Sequence, residues 1–467
     1  MNQIDVLPDE PLLEIFDFYK KMYPHNGDKA EVEAWQTLVH VCRRWRNLVF
    51  GSPRRLNLQL FWPQRTPTRD ILDVWPALPL VVKNDKAFTS PSANIIAAFR
   101  QSNRVCHVDL RLLPELEEVS AAMQVPFPEL TYLRLILPAN GVLPTDIPDS
   151  FLGGSAPRLR TLILQFVPFP GLPKLLLSAT HLVDLYLLGI PHSGYIAPEA
   201  IVASLSVLTS LETLLIGFKS HPDRESRSRH PLNRSVLPAL RKLFVIGVIE
   251  YLEELVTRID TPQLDCITIH SFNHFDFVCP RLAEFIKHTP KFRALGETCV
   301  QFNNSTVTVG LQHRRLKLDP YNLLKLILYR KPDRQLSSVA HVCNSSLLPL
   351  STVEDLYVSR RDSQLVWRVD ATENTLWLQL LLPFTAVKNL YLSKEFAPCI
   401  VAALQELVGG RVAEVLPSLQ NIFLEGLRVE PSGHLQANIG QFVAARQLSD
   451  HTIVISDWDK DSDIKST

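Results

Sequence analysis

Nine times between residues 130 and 424 the chain repeats the form LxxLxL, with an apolar residue at each marked position. The copies begin at Leu130, Leu159, Leu182, Leu211, Leu240, Leu264, Val353, Val387 and Leu419. The last two apolar positions, one residue apart, are a strand sending alternate side chains to one side. The first, three residues earlier, turns the incoming chain toward that core. Pro often stands just ahead of a copy, as at Pro128, Pro157, Pro238 and Pro417. Between copies lie helical patterns such as Pro198 to Leu208 and Ile249 to Arg258. A unit of one strand and one helix cannot bury a core alone, so successive copies must stack.

Clear copies lie roughly 23 to 34 residues apart, at or slightly above the period of leucine-rich repeats. The expected fold is therefore α/β: a curved leucine-rich-repeat solenoid with parallel strands inside and helices outside. Phe292 to Ser351 is the weak stretch. Asn303-Asn304-Ser305, Thr306 to Val309 and Leu324 to Leu328 suggest irregular strands there, with no assignable register. The polar segment Ser220 to Asn233 reads as a loop, and 456–467 as an acidic flexible tail.

Charge narrows the class of partner. The 467 residues carry 48 basic and 48 acidic side chains, and a formal net charge of +0 offers no surplus to draw nucleic acid or an anionic membrane. The seven cysteines, at 42, 106, 266, 279, 299, 343 and 399, form no CxxC pair and none has a His at zinc-finger spacing, as expected of reduced, buried thiols. Asp5, Asp9 and Glu10 stand where a signal peptide would carry basic residues. The longest apolar run, Leu376 to Val387, is interrupted by Gln379 and Pro383 and is too short for a bilayer. A soluble cytoplasmic or nuclear protein is the expectation.

The first fifty residues have another texture. Pro8 and Pro11 suit a first helical turn, where Asp9 and Glu10 complement the dipole. Leu12, Ile15, Phe16 and Tyr19 recur at helical spacing, and Pro24 to Asp28 breaks the pattern. A second pattern puts Trp35, Leu38, Val39, Cys42, Trp45 and Val49 on one face, with Arg43, Arg44 and Arg46 on the other as a solvated surface. On periodicity alone such a stripe is core packing against the same chain. The order of residues reads differently. Leu7-Pro8-Asp9-Glu10-Pro11-Leu12-Leu13-Glu14-Ile15-Phe16, then Leu38-Val39-His40-Val41-Cys42-Arg43-Arg44-Trp45-Arg46 and Leu48-Val49-Phe50, resemble the F-box. The span Tyr23 to Glu33 is longer than the usual link between the family's helices. Such insertions, and the ending from Phe442 to Trp458, resemble the F-box set expanded in mushroom-forming fungi.

The resemblance implies an F-box over 1–55, a repeat body over 56–455 that is irregular around 292–351, and the tail. It implies an adaptor that binds Skp1, and through it a cullin of a ubiquitin ligase, while the repeats hold a protein substrate. The Skp1-binding residues it implies are Leu7, Pro8, Leu12, Ile15, Phe16, Leu38, Val41, Cys42, Trp45 and Leu48. Target-binding candidates on the strands are Arg134, Tyr186, Tyr357 and Tyr391, which occupy the centre of their LxL. The alternative is a repeat scaffold with no ligase link.

Chemistry is sparse. The sequence holds no GxxxxGK[ST], HExxH or GxSxG motif. Gly153-Gly154-Ser155 reads as a turn, His270 and His274 as loop histidines, and Cys42 beside His40 as a member of the apolar face. No enzyme activity, cofactor or metal is expected.

Overall fold

The computed structural model describes residues 7–22, 35–61, 77–84, 92–111, 116–139, 146–218, 234–247, 249–271, 279–293, 295–313, 323–361, 373–407, 413–426, 433–447 and 452–458. The chain divides into two compact units, Met1–Ile196 and Ala197–Thr467. This division lies inside the span that the sequence assigns to one repeat body.

The first unit opens with helices Asp9–Met22 and Arg43–Gly51. Six strands follow: β1 (Leu60–Phe61), β2 (Leu80–Asn84), β3 (Val105–Arg111), β4 (Tyr132–Ile136), β5 (Thr161–Gln165) and β6 (Asp184–Ile190). Each pairs in parallel with the next. Parallel neighbours require the chain to return to its starting end, and the helices Ser92–Phe99, Leu116–Ala122 and Leu172–Leu176 lie on such returns.

The second unit holds β7 (Thr213–Phe218), β8 (Ser235–Val236), β9 (Lys242–Gly247), β10 (Ile259–Asp260), β11 (Cys266–Ser271), β12 (Glu297–Phe302), β13 (Thr306–Gln312), β14 (Leu324–Tyr329), β15 (Asp355–Arg360), β16 (Asn389–Leu392), β17 (Asn421–Glu425) and β18 (Val454–Trp458). Its main sheet runs β7-β9-β11-β14-β13-β12-β15-β16-β17-β18, while β8 pairs with β10 apart from it. All nine LxxLxL copies supply a strand with their LxL portion. Helices Pro198–Leu205 and Ile249–Arg258 stand where the periodicity predicts them.

One expectation changes. The strands are not uniformly parallel: β13 runs antiparallel to both β12 and β14. Residues 303–305 link β12 to β13 directly, and so short a link permits only an antiparallel partner. The main-chain N–H of Asn303 donates to the Thr306 carbonyl at 2.8 Å, and that of Asn304 to the Asn303 side chain at 2.6 Å. This hairpin is the weak stretch of the sequence.

Burial alternates along β4, β5 and β17 in a half-exposed, buried, half-exposed rhythm, while β7, β11 and β15 are buried at all but one position. In the second unit the inward side is heavily aromatic: Phe302 lies 4.8 Å from Phe396 and 5.9 Å from Trp377, all essentially without exposure. The other side of the strands is partly covered, with Tyr357, Tyr391 and Phe423 half-buried and Asp355 and Ser359 buried.

Candidate functional site

Two surfaces stand out, one in each unit. The first is the N-terminal pair of helices. Phe16 is fully buried, with its ring 4.7 Å from that of Trp45, and Leu12, Leu13, Leu38, Val39 and Val49 close around them. The second apolar pattern is not one helix, as the spacing suggests. It is a helical turn over 35–39 and the helix Arg43–Gly51, separated at 40–42. Cys42 is extended at the break and caps the second helix, its sulfur accepting from the Trp45 N–H at 3.5 Å. It therefore shares no helical face with Trp35. Trp35 packs instead edge-on to Phe50 at 6.2 Å.

Two arginines read as a solvated face have structural work. Arg44 donates to the Leu7 carbonyl at 2.5 Å and to the Asp9 carboxylate at 2.7 Å, fastening the start of the first helix to the second. Arg46 donates to the Val39 carbonyl at 3.0 Å across the break. Arg55 pairs with Glu10. Such exposed pairs contribute on the order of 0–1 kcal/mol each, so the buried aromatic pair dominates the packing.

The ten expected contact residues thus fall into three groups. Leu12, Phe16 and Leu38 are buried; Leu7, Cys42, Trp45 and Leu48 are half-buried; Pro8, Ile15 and Val41 are exposed. Ile15 is 48% exposed, Val41 56%, and Phe18, which is not one of the ten, 64%. Pro11, Ile15 and Phe18 follow one another at helical spacing, so they share a ridge away from the Phe16 face. Together they present contiguous apolar area of the kind that another surface covers in an interface.

The second surface is the side of β12 and β15 to β18 that faces away from the core. Register brings Asp355, Asn389 and Asn421 into one row and Tyr357, Tyr391 and Phe423 into the next. The rings stack: Tyr357 on Tyr391 at 4.2 Å and 9°, Tyr391 on Phe423 at 4.5 Å and 8°. Trp458 reaches back from β18, its ring 5.7 Å from Tyr391 and 5.9 Å from Tyr357. The amides are chained alongside. Asn421 donates to Asn389 at 2.7 Å, and Asn389 to the Asp355 carboxylate at 2.5 Å. Burial, then the charge of Glu297 and the neighbouring Tyr391, push the Tyr357 hydroxyl well above the usual phenol range.

Comparison with protein-family models and with curated proteins finds no match.

Arg134 and Tyr186, the other two candidate target contacts, sit in the first unit and do not meet. They occupy one row with Ile163 between them. Arg134 faces Asp109 at 3.5 Å, and beside them His107 stacks on Tyr132 at 4.1 Å. Tyr357 and Tyr391 do meet. Phe423 holds the same LxL centre and could have been found by the same rule; Trp458 lies in no copy, and only the structure brings it to the row.

Among the described residues no group of three His, Cys, Asp or Glu could hold a metal ion, and no helix is long and apolar enough to cross a membrane. His270 is on β11, its Nδ1 3.2 Å from the Tyr329 hydroxyl, and burial followed by the charge of Lys325 lowers its pKa. His274 lies outside the described residues. Gly153 and Gly154 both take positive φ in a tight turn, as the sequence suggests. Cys279 is pushed up to about 12 and Cys399 to about 11, burial being the first cause in each, so neither thiol is poised as a nucleophile.

Proposed function

We propose that this chain is the substrate-receptor subunit of an Skp1–cullin–F-box ubiquitin ligase. Its N-terminal helices are an F-box that binds Skp1, and its strand-and-helix copies are leucine-rich-repeat-like units that hold a protein target. The observation that carries the reading is the division of labour on the first helix. Leu12 and Phe16 close inward, while Ile15 and Phe18 remain at the surface of a segment whose order of residues resembles the F-box. An apolar ridge on a short helical unit is what a groove on another subunit would cover.

In this role the protein performs no bond chemistry. It raises the concentration of target lysines near the ligase. Co-expression of the full chain with Skp1 tests the reading: a stable complex is expected on affinity capture. Failure of the full, folded chain to retain Skp1 overturns it and leaves the scaffold reading, which the burial of Phe16 against Trp45 favours.

A further inference from the structure

The hairpin of β12 and β13 interrupts the helical layer of the second unit as well as its sheet. Elsewhere in that unit the return helices pack in sequence: Pro198–Leu205 on Ile249–Arg258, Ile249–Arg258 on Pro280–His288, and Pro332–Asn344 on Asn374–Leu381. Helix Pro280–His288 leads from β11 to β12, and Pro332–Asn344 from β14 to β15, although β14, β13 and β12 all lie between β11 and β15 in the sheet. Each return therefore has more strands to cross than a regular repeat gives it. Where Pro280–His288 ends, a cleft of about 720 Å³ opens between its last turns, the short turn Pro290–Phe292, and the segment that follows Pro332–Asn344.

The cleft has an apolar floor and a charged rim. Ile286, Phe292 and Leu347 are buried beneath it, and the half-buried Ala283 and Pro349 form its walls. Lys287 and Arg293 stand exposed on the rim beside Glu284. A helix C-terminus repels anions through its unpaired carbonyls, but here the chain covers them itself. His288 Nδ1 donates to the Glu284 carbonyl at 2.7 Å, and the Thr289 N–H and hydroxyl to the Phe285 carbonyl at 3.1 and 2.9 Å. The Arg293 guanidinium donates to the carbonyls of Lys287 at 3.3 Å and His288 at 3.5 Å. Neither the Lys287 ammonium nor the Arg293 guanidinium meets a carboxylate among the described residues. Two permanent cations thus face one carboxylate, and the rim is positive.

We propose that this cleft docks an acidic segment of a protein partner, which inserts one apolar side chain between Ala283 and Pro349 and sets a carboxylate against Lys287 and Arg293. Sites for small molecules enclose most of the ligand's surface. Here the charged rim is exposed to solvent, which suits a chain that passes over it and lowers a single side chain to the floor. The apolar anchor supplies affinity, while the charges fix the direction of the segment and speed encounter. The cleft lies within the second unit and owes nothing to the Skp1 reading; it gives the helical layer a partner of its own.

The test is selection of a random twelve-residue display library on the purified full chain and on two variants. Lys287→Glu reverses a rim charge, and Ser346→Trp, at an exposed position of the lining, fills the cleft without altering charge. Circular dichroism of both confirms that they are folded. The wild-type chain is expected to enrich peptides that set Asp or Glu beside a Leu, Ile or Phe, and each variant to recover them about tenfold less well. No retention above bare matrix, no enrichment of acidic residues, or equal recovery by either variant overturns the inference. Self-association of the wild-type chain that Lys287→Glu abolishes also overturns it, by assigning the cleft to a second copy. Skp1 capture by the same proteins reports on the ligase reading alone.

Discussion

The rings of Tyr357 and Tyr391 lie parallel at 4.2 Å on neighbouring strands, because the two residues are register partners at the centres of two LxL segments. Repetition in the sequence has become a row in space. Tyr391, with a ring on either side, ties three strands together.

Tyr391→Ala is therefore expected to cost roughly 1–3 kcal/mol, from the lost stacking and the buried part of the ring. Tyr391→Phe keeps both stacks and loses only the hydroxyl's hydrogen bond with Tyr357, so it is expected to cost about 1 kcal/mol or less. Urea denaturation followed by far-ultraviolet circular dichroism separates them. Equal stability of the two variants would show that the stack contributes nothing.

Much of this architecture was legible in the sequence. The LxxLxL copies mark nine of the eighteen described strands, and the LxL centre names the position facing away from the core, so the sequence alone singles out Tyr357 and Tyr391. What could not be read follows from long-range geometry. The β12–β13–β14 hairpin lacks the repeat form, since a strand reached by a short reversal needs no Leu to turn it inward. The N-terminal helices are legible in the sequence, but periodicity does not separate Phe16, whose neighbour Trp45 lies 29 positions later, from the adjacent Ile15, which faces outward. The break at 40–42 leaves no mark on the periodicity, because Trp35, Leu38 and Trp45 keep helical spacing across it.

Phe16 and Ile15 predict opposite behaviour on substitution. Phe16→Ala empties the space against Trp45 and is expected to cost roughly 3 kcal/mol. Ile15→Asp removes an exposed apolar side chain and is expected to change stability by less than about 0.5 kcal/mol. Thermal or urea unfolding of the two variants tests the contrast, and the reverse ranking would refute the packing of Phe16 against Trp45.

Arg446 is buried, and its Nη2 donates to the carbonyls of Val415 at 2.6 Å and Leu416 at 3.2 Å. Leu416 takes a positive φ of 51°, a conformation that needs support from its surroundings. Arg446→Ala leaves two carbonyls without this donor and is expected to destabilise by roughly 1–3 kcal/mol. Arg446→Lys is expected to restore only part, because an ammonium lacks the guanidinium's planar fork. Full recovery with Lys would show that charge alone suffices.

His270 supplies a pH dependence. Burial, with the charge of Lys325, depresses its folded pKa below the ordinary value near 6.5. The unfolded chain then binds the proton more tightly, so the contribution to stability is present above pH about 6.5 and is lost as pH falls through the depressed value. His270→Gln should flatten the slope of denaturation midpoint against pH between about 7 and 5. An unchanged slope would remove His270 as its source.

The most direct test of the adaptor reading is the equilibrium affinity of the full chain for Skp1, measured by calorimetry for wild type and for Ile15→Asp with Val41→Asp. A wild-type complex of one to one stoichiometry is expected, weakened at least about a hundredfold in the variant while unfolding midpoints stay close. Absence of wild-type binding, or equal affinity for the two, would contradict it.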